Sequence, residues 1–320
     1  MGEVVIEEKE IIEEKVLIDL IDSPSVQRLK DISQFGVPDK YYFRKGYSRF
    51  EHSTGVFILL KKLGASLEEQ VAGLLHDVSH TAFSHVVDWI SGDPTKENYQ
   101  DDTLFDTIKN SELPKILQGF GFNYKRISNH ENFSLLEKEA PSLCADRIDY
   151  SLRELFFENP KLTKKVFENL GVKDNQIVFQ NKNIAEFFAK KYASFQINNW
   201  ASNQAKVRYV ILSNILKKGI EEKIISFEDL EKTESYVLNK LENSNNEFVL
   251  DNLNILEKGF NIVEDDVGIE LLTKFRYIDP EVSVNGHYQS LSSLSKNYFD
   301  FLEIQKENFK TINKVRIIPK

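Results

Sequence analysis

VAGLLHDVSHTAFSH, residues Val71 to His85, is the stretch whose reading decides the fold. It opens as an apolar helical run and passes into the adjacent pair His76-Asp77, with His80 and His85 close behind. A lone helical histidine is more often a satisfied core or surface residue than a ligand. Here the neighbours change that reading. His52 opens a helix just after Arg49-Phe50-Glu51, and Asp146 follows Leu143, Cys144 and Ala145 in a helix that otherwise reads as buried. An unpaired buried carboxylate is costly, so Asp146 must be paired or coordinated. His52, His76, Asp77 and Asp146, from three separate helices, make a mixed N/O set suited to one divalent transition metal. Fe, Mn, Co, Ni and Zn all fit, and Mg is less natural beside histidine, except as an ion carried in with a bound ligand.

The flanking sequence reads mainly as helices. Ser23-Pro24 caps and starts one helix, and Gly36-Val37-Pro38 stops the run. A loop rich in aromatics and bases, residues 38–50, precedes a helix from Glu51 to Leu63, ended by Gly64. Ser66 with Glu69 forms a capping-box pattern for the helix that runs into His76. Ser79 and Thr81 predict a break and a new helix near residue 81. Residues 3–12 read as a hairpin, 91–102 as a polar loop, and 103–110, 112–119, 134–158, 160–170 and 184–218 as helical. A short strand or hairpin is predicted over 171–183. Beyond residue 220 the pattern is mixed: a helix capped by Ser226 to about 243, a surface loop at 241–247, and strand-like pieces at 274–279, 281–284 and 314–318. The expected fold class is mainly α, with a helical core over 1–218 and a small α+β part over 219–320 serving assembly or regulation.

The 320 residues carry 50 acidic against 41 basic side chains, a net charge of −9, so no global basic field exists for extended nucleic acid. The single cysteine, Cys144, excludes an intramolecular disulfide. The acidic start lacks a signal-peptide core, and no apolar run approaches the ~18 residues of a membrane span. The expectation is a cytoplasmic protein without membrane partners.

The order His52, His76-Asp77, Asp146 resembles the HD-domain superfamily of metal-dependent phosphohydrolases. It is closest to the branch of SAM-and-HD-domain-type deoxynucleoside triphosphate triphosphohydrolases. LIDSPSVQRLKDISQFG (20–36), SRFEHSTGV (48–56), AGLLHDVSHTAFSH (72–85) and ADRIDYSLRE (145–154) carry the resemblance, in the family's order. It implies an HD-domain helical core, and His52, His76, Asp77 and Asp146 as metal ligands. It also implies Arg49 and Arg147 on phosphate, Gln34 and Phe35 at the sugar, Tyr150 in the pocket, and Glu154 on a sugar hydroxyl. His80 and His85 match pocket histidines beside the metal. Lys45 in the aromatic loop is a further phosphate candidate, while Arg44 reads as part of a solvated turn. Arg126, His130 and His287 match nothing, and surface or structural roles are expected for them.

Two departures stand out. Relatives that cleave triphosphates carry a catalytic histidine where this chain has Gln100-Asp101, and glutamine cannot shuttle a proton. His80, His85 or Asp101 is then the expected acid. In the helix expected over 195–216, Asn199 and Asn203 stand at i, i+4 where relatives have larger sugar-sensing residues. The leading functional expectation is a (deoxy)nucleoside triphosphate triphosphohydrolase releasing nucleoside and triphosphate. The alternatives are a phosphomonoesterase or phosphodiesterase on another metabolite, and a catalytically weak nucleotide-binding regulator. The resemblance also implies a homo-oligomer.

Overall fold

The computed structural model describes residues 12–91, 98–271, 275–309 and 313–320. The hairpin expected at 3–12 lies, but for Ile12, outside them, as does most of the polar loop after residue 91. The architecture is mainly α. Helices α1 (Lys15–Ile21) and α2 (Pro24–Arg28) lead into the long α3 (Arg49–Lys62) and α4 (Leu67–Leu75). Then come α5 (Asp88–Ser91), α6 (Tyr99–Lys109), α7 (Leu113–Gly119), α8 (Tyr124–Ile127), α9 (Ala145–Glu158) and α10 (Pro160–Phe167). A hairpin of β1 (Leu170–Lys173) and β2 (Gln176–Phe179) precedes α11 (Lys182–Phe195), and α12 (Asn203–Glu221) follows. The remainder is α13 (Glu234–Glu242), α14 (Glu247–Lys258), β3 (Phe260–Leu271), β4 (Glu281–Val284), β5 (His287–Ser290), α15 (Leu291–Leu294), α16 (Lys296–Asn308) and β6 (Asn313–Pro319).

The centre of the core is α3. Val56, Phe57, Ile58, Leu59 and Leu60 are buried along it, and so are His52, Ser53 and Gly55. A helix covered all round belongs inside a protein, and each buried Leu or Phe contributes roughly 1.5–3 kcal/mol. Ser48 caps α3 in a reciprocal box with Glu51. This fixes the first turn, from which Arg49 and His52 project. The Ser66 cap on α4 also forms, with Glu69 N donating to Ser66 Oγ at 3.2 Å. The carboxylate of Glu69 also reaches across to another segment, where it accepts from Leu135 N at 2.7 Å and Leu136 N at 3.1 Å.

That contact marks a correction. Residues 134–144 are irregular chain, and α9 begins only at Ala145, behind an extended Cys144. The backbone donors at 135 and 136 are met by a side chain, which holds the segment against α4 and places Asp146 in the first turn of α9. The helix expected over 195–216 is also broken. A π-helical turn, Gln196–Trp200, ends α11, and Ser202 in extended conformation caps α12. Asn199 and Asn203 therefore do not sit on one helical face. Ser226 does not start a long helix: a short 3-10 turn follows, and Thr233 caps α13. The strand expected at 274–279 is not one over its described residues, 275–279.

The β1–β2 hairpin turns through Asp174 and Asn175, both at positive φ. Phe179 of β2 pairs in parallel with Val282 of β4, giving a four-stranded sheet in the order β1-β2-β4-β5. This sheet crosses the division at residue 218. Contacts of residues 230–235 cross it too: Ala82 N donates to Leu230 O of the 3-10 turn at 2.7 Å, and Ser235 Oγ of α13 donates to Asp31 Oδ1 at 2.8 Å. Long β3 and β6 pair separately, with a bulge between Glu264 and Ile269. No helix among the described residues is long and apolar enough to cross a membrane.

Candidate metal centre

The first turn of α3, the end of α4 and the first turn of α9 converge. His52, His76 and Asp146 each offer a ligand atom, all within 4.8 Å of one another. His52 Nε2 lies 2.8 Å from Asp146 Oδ1 and 3.3 Å from His76 Nε2. Asp77 flanks them, its Oδ1 3.4 Å from His76 Nε2. The outward nitrogens are also settled: His52 Nδ1 lies 2.8 Å from Asp149 Oδ2, and His76 Nδ1 lies 2.7 Å from Gly73 O. Each Nδ1–H thus has an acceptor, which leaves both Nε2 lone pairs aimed at one point. Metal-ligating histidines are held in this way. The donor set of His52, His76 and Asp146 therefore fits a divalent metal ion, and Asp77, expected as a fourth ligand, lies beside that group and outside it.

The electrostatics agree. Burial alone would lower the imidazole pKa values, but the surrounding carboxylates outweigh it. His52 is raised by Asp146 and Asp149, and His76 is raised to about 9 by Asp77 and Asp146. Burial would raise the two acids, yet Asp77 is held well below the usual range by Arg49 and the neighbouring histidines. Asp146 is held low by His52 and His76. The site attracts positive charge strongly.

Behind the ligands is a supporting layer that sequence reading missed. Arg153 Nε donates to Asp149 Oδ2 at 2.7 Å, and both side chains are buried. Asp149 and Arg153 stand three and seven residues after Asp146. That helical spacing was a usable signal for them. Gly55 makes room for the pair, because a Cβ there would collide with Asp149 Oδ1 and Arg153 Nη2.

The expected substrate residues divide. Gln34, Arg49, His85, Tyr150 and Arg276 line both of two adjoining cavities. The larger, about 1010 Å³, contains His76, Asp77, His80, Gln100, Asp101, Asp146 and Arg147 in its wall. The smaller, about 130 Å³, is aromatic, with Phe35, Tyr42, Tyr47, Trp200 and Tyr209. Tyr150 OH lies 2.9 Å from Tyr192 OH, and its ring meets Trp200 edge-on at 5.0 Å. Gln34 Oε1 is shielded from solvent and has no hydrogen-bond partner.

Other positions are corrected. Arg49 is buried, and its Nη1 donates to Asp77 Oδ2 at 2.8 Å, so it first holds a metal-site acid. Arg147 Nη1 donates to Ser142 O at 2.7 Å and to Lys138 O at 3.2 Å, so its guanidinium pins the 138–144 segment. Glu154 is buried and paired with Arg44, and Asn199 Nδ2 donates to its Oε2 at 2.9 Å. Arg44 is therefore no solvated turn residue. Glu154 Oε1 is shielded and without a partner. Lys45 is exposed, Asn203 begins α12, and neither lines the two cavities.

Of the acid candidates, His80 is buried with Nε2 3.2 Å from Asp77 Oδ1, and burial with Arg49 lowers its pKa to about 3. It is a neutral prop for Asp77. His85 Nδ1 has no hydrogen bond, its nearest acid being Asp88 Oδ2 at 3.6 Å. Burial, with Asp77 and Asp146 nearby, raises the Asp101 pKa. His130, read as peripheral from sequence, lies in the wall of the large cavity, its ring 6.4 Å from that of His76. Burial and His76 lower its pKa to about 4. No sequence signal marked it, because its place in the wall comes from the path of the chain between α8 and α9 rather than from a local pattern.

The HD domain family matches residues 49–149, a span that begins at Arg49 and ends at Asp149. An uncharacterized protein YdhJ of Bacillus subtilis is 38% identical over 287 residues, covering 88% of each chain. The metal-dependent phosphohydrolase cns2 of Cordyceps militaris is 30% identical over 297 residues, covering 88% of this chain and 84% of that one. This chain belongs to the HD-domain family of metal-dependent phosphohydrolases. A more distant relative, the deoxynucleoside triphosphate triphosphohydrolase SAMHD1 homolog of Dictyostelium discoideum, is 26% identical over 224 residues, covering 55% of this chain and 41% of that one. The crystal structure of a phosphohydrolase from Bacteroides thetaiotaomicron shares the fold at TM-score 0.64 and 17% identity, covering 97% of this HD-domain chain and 99% of that one.

Proposed function

We propose that this HD-domain protein hydrolyses nucleoside triphosphates to nucleoside and triphosphate. The observation that carries the reading is the pairing of two compartments through a shared wall. An aromatic cavity suits the flat face of a base. It joins a larger polar cavity holding the His/Asp cluster, and the junction is Gln34, Arg49, His85, Tyr150 and Arg276. A nucleotide has the same division, with its nucleoside–phosphate bond at the join. A divalent ion held by His52, His76 and Asp146 supplies Lewis-acid polarisation of a phosphoryl oxygen and an acidified water.

The chain's own residues do the rest. Gln34 Oε1, shielded and free in the shared wall of the two cavities, accepts from a sugar hydroxyl. Arg49 uses three of its five N–H groups on Asp77, Ser84 and Gln34 O, and offers the remainder to phosphate. Cleavage breaks the bond between the 5′-oxygen and phosphorus, adds hydroxyl from water to phosphorus, and returns a proton to the 5′-oxygen. His85 lines both cavities, so it stands where that oxygen would lie, and it is the proton donor of this reading. His80 is committed to Asp77. The test is to incubate metal-loaded protein with each ribo- and deoxyribonucleoside triphosphate and resolve the products. No nucleoside and no triphosphate from any of them overturns the proposal.

One observation favours a second reading, a nucleotide-binding regulator with weak turnover. Gln100 lines the large cavity beside Asp101, where relatives place a proton-transferring histidine. If Gln100→His creates activity that the parent lacks, this second reading holds; brisk parental turnover removes it.

A further inference from the structure

His130 stands out among the groups around the centre that the chemistry above leaves unused. It opens a short 3-10 turn, His130–Asn132, capped by Asn129, whose side chain accepts from Glu131 N at 3.0 Å. Phe133 N donates to His130 O at 2.9 Å, and Asn132 Nδ2 donates to Arg126 O at 3.0 Å. The turn is therefore tied by its backbone and by Asn129 and Asn132, with no help from the imidazole. The ring instead faces the large cavity, in whose wall it sits with His76, Asp77, His80 and His85. Its Nε2 is shielded from solvent and has no hydrogen-bond partner among the described residues. A shielded polar nitrogen without a partner is unfavourable unless a ligand meets it.

Two kinds of ligand could do so. The metal-binding cluster does not include it: the ligand atoms that gather within 4.8 Å are those of His52, His76 and Asp146. An oxygen of a phosphate chain extending from the centre into the cavity is within the reach of this nitrogen. The cavity wall also carries acids, Asp101 and Glu137 among them, so a polyanion in this cavity needs neutral or cationic donors beside them. Lys125 lines the cavity close to His130 in sequence and supplies charge, and His130 supplies a directed N–H.

We propose that His130 is a substrate-binding residue whose Nε2–H donates a hydrogen bond to an oxygen of the substrate's phosphate chain, beyond the phosphorus at the metal centre. The inference rests on the phosphohydrolase reading of the large cavity. It assigns a phosphate contact to the segment between α8 and α9, which the sequence leaves without a role.

The test uses inorganic tripolyphosphate as the probe. Its binding to the metal-loaded full-length protein is measured by calorimetry for the parent, His130→Ala and His130→Gln, and metal content is measured by elemental analysis after each titration. The expected result is a parental metal content in all three proteins and roughly tenfold weaker tripolyphosphate binding by His130→Ala, the value of one hydrogen bond. His130→Gln, whose amide N–H reaches the same place, recovers most of the loss. Equal affinity of His130→Ala and the parent overturns the assignment while leaving the phosphohydrolase reading intact. Loss of metal in His130→Ala also overturns it, by making His130 a ligand. A parent that does not bind tripolyphosphate overturns both.

Discussion

Arg49 Nη1 lies 2.8 Å from Asp77 Oδ2, in a buried ion pair that joins the start of α3 to the end of α4. Removing one partner of such a pair leaves an uncompensated charge, at about 3–5 kcal/mol. Arg49→Ala is expected to lower the melting temperature of metal-free protein markedly. Added metal should restore part of the loss, because the ion gives Asp77 a second cation. Thermal unfolding with and without metal checks this. A deficit that metal leaves unchanged would mean that Asp77 does not face the ion.

Asp149 tests the supporting layer. Outer partners of metal-bound histidines typically change affinity by 10–100-fold when removed. Asp149→Ala strips the acceptor from His52 Nδ1, 2.8 Å away, and leaves Arg153 unpaired. Metal affinity, read by chelator competition, should fall about 10–100-fold. Asp149→Asn keeps an acceptor and loses the charge, so it should fall between parent and Ala.

Gly55→Ala is the smallest disturbance of the same layer. The added methyl would meet Asp149 and Arg153 side chains that are themselves locked. Overpacking of this kind costs about 1–3 kcal/mol. The variant should lose stability in denaturant and metal affinity together, whereas Gly64→Ala, with open space around it, should leave metal affinity alone.

Glu234 gives a pH dependence. It is buried in α13, and it accepts from Ser33 N at 2.9 Å, Ser33 Oγ at 2.6 Å and Phe83 N at 3.3 Å. Burial raises its pKa to about 7, against the pull of those three donors. A folded pKa above the unfolded value of 4.5 means the folded state holds the proton more tightly. This group's contribution is then complete below about pH 4.5 and is lost as pH rises to about 7, roughly 3 kcal/mol in all. Glu234→Gln keeps the acceptor oxygen without the charge. The difference in unfolding free energy between parent and Glu234→Gln should therefore change between pH 5 and pH 8, with the variant relatively more stable at pH 8. Parallel curves would exclude a raised pKa.

The convergence of His52, His76 and Asp146 was legible because its chemistry is local: a His-Asp pair at a helix end and an acid among apolar neighbours fit few arrangements besides a polar cluster. The fold class followed from helical periodicity for the same reason. What was hidden depends on contacts between distant segments. Arg147 looks free for phosphate in sequence, but the carbonyls of Lys138 and Ser142 claim it once residues 134–144 leave the helix. Asn199 and Asn203 look like a pair until Ser202 breaks the helix between them. Glu69 reads as half of a capping box, and its carboxylate serves backbone more than sixty residues away. His130 and Glu234 had no local mark at all.

Glu234 also bears on how the chain is made. Phe83 and Ser84 hold positive φ, a conformation non-glycine residues keep only when their surroundings enforce it. Gly36 allows the neighbouring loop to come close enough to do so, since a Cβ there would press on Phe83 O. Further restraints on these loops come from Leu230 O and Glu234, far later in the chain. A ribosome adding about 5–20 residues per second completes the cluster of His52, His76 and Asp146 on the order of ten seconds before it reaches Glu234. During that interval the nascent protein carries every ligand of its centre and lacks the strut that sets Gln34 and Arg49 around it. Maturation of the site is thereby tied to emergence of α13, and a chain stalled before that point would hold the chemistry without its geometry.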